Sequence, residues 1–153
     1  MSTETAIRVG ADVVAVQQVA ESVAVFGTRY LDRIYTEHEI SSCAGEAHVQ
    51  AASLAARFAA KEATFKVLRP TGHQPDWRSV EVRRHATGWC TMALSGHAAA
   101  LAQEAGIGEL AVSLTHDGDV AAAVVVALCN SGADGTTPTI VAQDAVASLV
   151  GAV

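Results

Sequence analysis

Apolar positions along the chain change their period several times, and each change predicts an element. Residues 7–14 form a nearly continuous apolar run, which predicts a buried strand. From Val16 to Phe26 the spacing turns helical: Val16, Val19 and Val23 fall on one side, with Gln17, Gln18 and Glu21 on others, and Gly27 is placed to close the helix. Thr36-Glu37-His38-Glu39 is a capping box that opens a further helix. Gly45 interrupts, and a long helix is predicted from about residue 46 to 69, ended by Pro70-Thr71-Gly72. Beyond that break the period becomes two. Residues 79–84, with Val80 and Val82 on one face, read as a strand that turns at Thr87-Gly88 into a return strand over 89–94. Ser95 is placed to cap a short Ala-rich helix over 96–104, which Gly106 and Gly108 end. Two strands, 110–115 and 120–128, flank the hairpin signal Asp117-Gly118-Asp119. The order predicts an α+β domain with an antiparallel sheet wrapped on one long helix. No repeat of solenoid length is present. Composition shifts at Asn130. The domain is therefore expected over 1–129. Residues 130–153 are expected to be a linker and a tail with a short helix over 142–150, frayed or packed on a neighbouring subunit.

Two acids break this pattern. Asp12 interrupts the first strand. Glu62 lies between Phe58 and Phe65 at i, i+4, i+7, on a helix face that Leu54 and Leu68 extend. A carboxylate on an apolar stripe is costly unless a cation or a donor meets it. A shared metal ion would meet both. Plainer readings stand beside that one. Asp12 can cap the helix that follows. Glu62 can pair with Lys66 one turn on. His116 can be a polar turn residue, and Arg57 and Lys61 can belong to a solvated helix face. His38, His48, His73, His85 and His97 have no motif around them and read as surface.

Composition narrows the classes. A chain of 153 residues, half of them hydrophobic and 17% charged, suits one globular domain with a real core. Scarce aromatics and abundant Ala and Val suggest closely apposed elements. No apolar run is long enough to span a bilayer, and the first residues carry neither the basic segment nor the apolar stretch of a secretion signal. Cys43, Cys90 and Cys129 are far apart and odd in number, which argues against a disulfide framework and for the cytoplasm. A net charge of −6 counts against nucleic-acid binding. The basic residues are nevertheless clustered: Arg29 and Arg33, then Arg57, Lys61, Lys66 and Arg69. Such local positive charge suits a small phosphorylated ligand or an acidic partner.

Three blocks, in order, carry a resemblance: Gly10-Ala11-Asp12-Val13-Val14; Arg57-Phe58-Ala59-Ala60-Lys61-Glu62-Ala63 with Lys66; and Ser113-Leu114-Thr115-His116 before an Ala/Val-rich last strand. The segment from Arg29 to Thr36 adds a fourth likeness. Over roughly five-sixths of its length the chain resembles the holo-[acyl-carrier-protein] synthases, the small 4'-phosphopantetheinyl transferases. The resemblance implies an α+β homotrimer with active sites between subunits. It also implies transfer of the phosphopantetheine arm of coenzyme A to a serine of an acyl carrier protein, with release of 3',5'-ADP. The carrier could be free or a domain within a fatty acid synthase. Asp12 and Glu62 would then hold Mg2+ with the pyrophosphate of coenzyme A, and Lys66 and His116 would approach the phosphates. Arg57, Lys61, Ser113 and Thr115 would complete the cofactor contacts, and Arg29 and Arg33 would dock the carrier. The base that takes the serine proton would be Glu62 or a water at the site.

The residue types suit that chemistry. Mg2+ takes one or two carboxylates together with phosphate oxygens and water. Two departures are specific to this chain. Gln17-Gln18 stand where the family often has an arginine for carrier docking, and Gly88-Trp89-Cys90 stands where its turn usually reads Gly-x-Pro. The alternative from another class is a non-enzymatic trimeric module that binds a nucleotide or an acidic partner without turnover.

Overall fold

The computed structural model describes residues 5–130 apart from His73. The chain runs β1 (Thr5–Ala15), α1 (Val16–Phe26), α2 (Thr28–Ile34), α3 (Glu37–Ser42), α4 (Ala47–Leu68), a 3-10 turn (Trp77–Ser79), β2 (Val80–Arg84), β3 (Cys90–Leu94), α5 (Gly96–Glu104), β4 (Ile107–Asp117) and β5 (Val120–Asn130). β5 lies between β1 and β4 in a three-stranded antiparallel sheet, and β2 pairs with β3 in a separate hairpin. The fold is the expected α+β arrangement of antiparallel strands around one long helix. The linker and tail expected past residue 129 lie outside the described residues, apart from Asn130 at the end of β5.

Three details differ from the sequence expectation. Residues 28–34 form α2, which was not predicted, because two turns are too short for a clear helical period. Gly27, at φ 54°, breaks the chain between α1 and α2 in a conformation that favours glycine. Ser95 stands at the start of α5 but its side chain makes no capping bond; the hydroxyl instead leans 3.5 Å from the Ser79 carbonyl. The strands also form two pieces of sheet rather than one.

α4 is the axis of the molecule, and its small residues explain why. Ala51, Ala52, Ala55, Ala56, Ala59, Ala60 and Ala63 are all buried along it, so strands can approach the helix backbone closely. Gly10 marks the tightest approach. A Cβ there would stand 2.1 Å from the Ala63 carbonyl oxygen and 3.0 Å from Val67 Cγ2. Side chains alternate along a strand, so Asp12 shares the helix-facing side with Gly10 and Val14. On the other side Ile7, Val9 and Val13 are 65%, 63% and 69% exposed, so the strand expected to be buried is covered on one face only. They continue onto β5 through Val124, the partner of Ala11, and onto β4 through Ser113 and Thr115. The outer face of the sheet is thus largely apolar and uncovered.

A buried ion pair joins the helices to the hairpin. Lys61 and Glu39 are both fully buried, 2.8 Å apart. The Thr36 capping box forms as predicted: Glu39 N–H donates to Thr36 Oγ1, and Thr36 N–H donates to Glu39 Oε2. Glu39 Oε1 accepts from the Val82 N–H at 2.9 Å, and Lys61 donates to the carbonyls of Trp77 and Val80. Every polar atom of the pair is thereby partnered, the condition under which a buried pair persists. Burial pulls the Lys61 ammonium below its usual value, and Glu39 opposes that shift.

Candidate active site

The approach at Gly10 brings Asp12 to the α4 surface where Glu62 and Lys66 emerge. Lys66 Nζ donates to Asp12 Oδ1 and to the Ala11 carbonyl, each at 2.7 Å. Asp12 Oδ2 is buried without a hydrogen-bond partner. Burial first, and then the adjoining Asp12 carboxylate, raise the Glu62 carboxyl from its ordinary 4.5 to about 7, with Lys66 opposing. Two crowded carboxylates and one orphaned oxygen make a seat that a divalent cation would relieve. Among the described residues no group of three or more His, Cys, Asp or Glu could hold a metal. Mg2+ is commonly held by one or two carboxylates and completed by phosphate oxygens and water, which suits the pair of acids here.

The plainer readings of these residues do not hold. The helix α1 starts after Ala15 with no side-chain cap, so Asp12 caps nothing. The ion pair of Lys66 is with Asp12, across the gap between strand and helix.

Phe58 and Phe65 flank Glu62 as the spacing predicted, and both rings meet Trp77, at 5.2 and 5.4 Å between centroids. Trp77 also lines a groove of about 490 Å3 with Phe26, Arg29, Tyr30, Arg33 and Ile34. Tyr30 links the groove to the carboxylates. Its hydroxyl lies 3.4 Å from that of Tyr35, which in turn donates to the Leu54 carbonyl. Burial raises the Tyr30 phenol, and the Glu62 charge adds to that rise. Arg29 and Arg33 thus line a groove whose Tyr30 feels the Glu62 charge.

A second cluster lies elsewhere. A cleft of about 230 Å3 is lined by Ser53, Ala56, Arg57, Arg84, Gly88, Cys90, Leu114, Thr115 and His116. Arg57 is 5% exposed, not part of a solvated helix face. It donates to the Ser53 carbonyl at 3.2 Å and to Ser42 Oγ at 3.1 Å, while its Nε has no partner. With Arg84 and His116 beside it, this cleft suits an anion such as a phosphate.

The expected site residues therefore fall in different places. Asp12, Glu62 and Lys66 gather at the β1 edge. Arg57, Thr115 and His116 gather near β4, the opposite edge. Glu62 and Arg57 are five positions apart on α4, about 140° around its axis, so they cannot face one opening. Ser113 is on the outer face of the sheet. Lys61 corrects the expectation of a cofactor contact: it is wholly buried, with Glu39 and two carbonyls taking its donors.

Sequence reasoning missed Tyr30, Trp77 and Arg84, and it singled out Cys90 only as part of an altered turn. Arg84 carried a usable signal, because it follows Val80 and Val82 at a spacing of two and so continues an apolar strand face with a charge. Tyr30 and Trp77 carried none, since their neighbours come from segments far apart in the chain.

Comparison with known proteins defines the class. The model of the 4'-phosphopantetheinyl transferase superfamily matches residues 8–125, a span that holds both clusters. The holo-[acyl-carrier-protein] synthase of Koribacter versatilis is 40% identical over 119 residues, covering 76% of this chain and 94% of its own. That of Moorella thermoacetica is 37% identical over 120 residues, covering 78% and 92%. Among solved structures, the ACPS–CoA complex of Chronobacterium ammoniagenes superposes with a TM-score of 0.70 at 31% identity, covering 82% of this chain and 98% of that one. The chain belongs to the holo-[acyl-carrier-protein] synthase family, enzymes of that superfamily.

Proposed function

We propose that the chain transfers the 4'-phosphopantetheine arm of coenzyme A to a serine of an apo acyl carrier protein, or of a carrier domain in a fatty acid synthase, releasing 3',5'-ADP. The observation that carries this reading is the orphaned Asp12 Oδ2 beside a Glu62 carboxyl held near 7. That pair fits a divalent cation completed by pyrophosphate oxygens. Mg2+ held there by Asp12 and Glu62 would neutralise the charge that develops on the departing phosphate.

The serine oxygen forms a bond to the phosphorus that carries pantetheine. The bond from that phosphorus to the bridging oxygen breaks, and the electron pair leaves with 3',5'-ADP. The serine proton leaves to Glu62 or to a water beside it. Lys66, reaching Asp12 from one helical turn beyond Glu62, supplies a fixed positive charge for phosphate oxygens. Arg29 and Arg33, in the groove with Tyr30 and Trp77, would meet an acidic carrier and bring its serine to the pyrophosphate. Arg57 and His116, with Arg84, would hold the nucleotide end.

A complete site needs a second copy. The carboxylates and the arginine cleft occupy opposite edges of one sheet, while Ser113 and Thr115 sit on its uncovered apolar face. Gathering the outer faces of three copies around a common axis would cover Ile7, Val9, Val13 and Val124 and would set the cleft of one copy against the carboxylates of the next. We take the assembly to be a homotrimer and its setting to be the cytoplasm, where the three free cysteines would stay reduced.

The test is a mass assay. The protein, coenzyme A, Mg2+ and an apo carrier should add one phosphopantetheine to the carrier. Chelation, Asp12→Asn or Glu62→Gln should abolish the gain. Coenzyme A binding without any mass gain would favour the non-enzymatic module. Running free acidic carriers beside synthase carrier domains reports which is served; Gln17 and Gln18, in place of docking arginines, favour the less acidic domains.

A further inference from the structure

The arginine cleft contains a thiol. Cys90 opens β3, pairs in register with Arg84, and lines the cleft with Arg57 and His116. Cys43 and Cys129 are buried, at 3% and 7% exposure, whereas Cys90 is half-buried and open to the cleft. A second feature marks the cleft as a seat for a ligand. Arg57, nineteen-twentieths buried, lines it, and its Nε is a buried donor left without a partner. A small molecule drawn in by its negative charge would arrive beside the Cys90 sulfur.

We propose that Cys90 is a covalent modification site for small anionic disulfides, and that the mixed disulfide formed there closes the cleft to its phosphorylated ligand. The oxidant is the incoming disulfide itself. Cys90 gives its proton to solvent, and the thiolate sulfur attacks one sulfur of the disulfide. A new S–S bond forms, the old one breaks, and the other half leaves as a thiolate that takes up a proton. A reducing thiol reverses the exchange. Arg57 and Arg84 select negatively charged reagents and favour the thiolate. Burial outweighs them and pushes the Cys90 thiol up, so the reaction quickens as pH rises. Adduct formation is independent of the proposed function; the loss of coenzyme A binding and transfer in the adduct rests on that reading.

The test treats the full chain at pH 8.5 with glutathione disulfide, with coenzyme A disulfide and with the neutral 2-hydroxyethyl disulfide, and follows intact mass and modified peptides. The expected result is one adduct per chain, on Cys90, with both anionic reagents faster than the neutral one by on the order of tenfold at low salt. Arg84→Gln should erase most of that preference, and Cys90→Ser should take no adduct. Coenzyme A binding, measured by calorimetry, should be lost in the adduct and return with reductant. Coenzyme A disulfide faster than glutathione disulfide would identify the nucleotide as the selecting group; equal rates would identify charge alone, and either supports the proposal. Adducts on Cys43 or Cys129, equal rates for neutral and anionic reagents, or an adduct that binds coenzyme A like the parent would overturn it. A chain that takes the adduct on Cys90 but, before modification, neither binds coenzyme A nor transfers would sink the proposed function and leave the modification site standing.

Discussion

Glu62→Gln should stabilise the metal-free protein above neutral pH while ending its response to Mg2+. The Glu62 carboxyl titrates near 7 instead of 4.5, so the folded state holds this proton more tightly than the unfolded chain does. The benefit is full below pH 4.5 and is lost as pH rises through 7. Above that, the folded protein carries the cost of an ionised Glu62 beside Asp12. A shift of that size corresponds to about 3 kcal/mol for a fully shielded group. Glu62 is only half-buried, and solvent screening reduces the effect to about 1–1.5 kcal/mol. Gln keeps the shape and removes the charge. In chelator at pH 8.5 the variant should melt about 3–5 °C above the parent, with protein concentration held equal. At pH 4.5 the two should melt together. Adding Mg2+ with coenzyme A should raise the parent's melting temperature and leave the variant's nearly unchanged. A variant less stable than the parent at pH 8.5, or one that gains as much from Mg2+, would refute the shared-cation reasoning.

Three further outcomes test the frame around this site. Gly10→Ala places a methyl against the Ala63 carbonyl, a backbone atom that cannot rotate away, and should cost about 3 kcal/mol or more in a denaturant titration; an unchanged midpoint would show that the strand and helix are not in contact there. Lys61→Met strands the buried Glu39 carboxylate and should lose about 3–5 kcal/mol, read by circular dichroism melts; unaltered melting with a raised KM for coenzyme A would return Lys61 to the cofactor contacts. Val13→Asp puts a charge on the uncovered face and should lower the assembled mass in sedimentation velocity, whereas a parent that is itself monomeric would contradict the proposed assembly.

Much of the fold was written locally. The strand-like run at residues 7–14, the helix Val16–Phe26, the Thr36 capping box and the long α4 each follow from period and cap chemistry, which act over a few residues. The anomaly of Glu62 between two phenylalanines was legible for the same reason: a helix face is defined by sequence spacing alone. Lys61 shows the limit. Beside Arg57 and Lys66 it reads as one more cation along the helix. Its burial depends on Glu39, which arrives from a separate short helix, and on the Trp77 and Val80 carbonyls from a turn still further along.

The sequence by itself determined every described α-helix and strand but the short α2, the family and which carboxylates were out of place, because these are read from residues close together in the chain. Only the tertiary structure decided which charges meet. Asp12 and Glu62 come together because a glycine lets β1 touch α4. Arg57 stays away because five residues turn a helix through more than a third of a circle. Distances between side chains far apart in sequence are set by packing, and packing is a property of the whole chain.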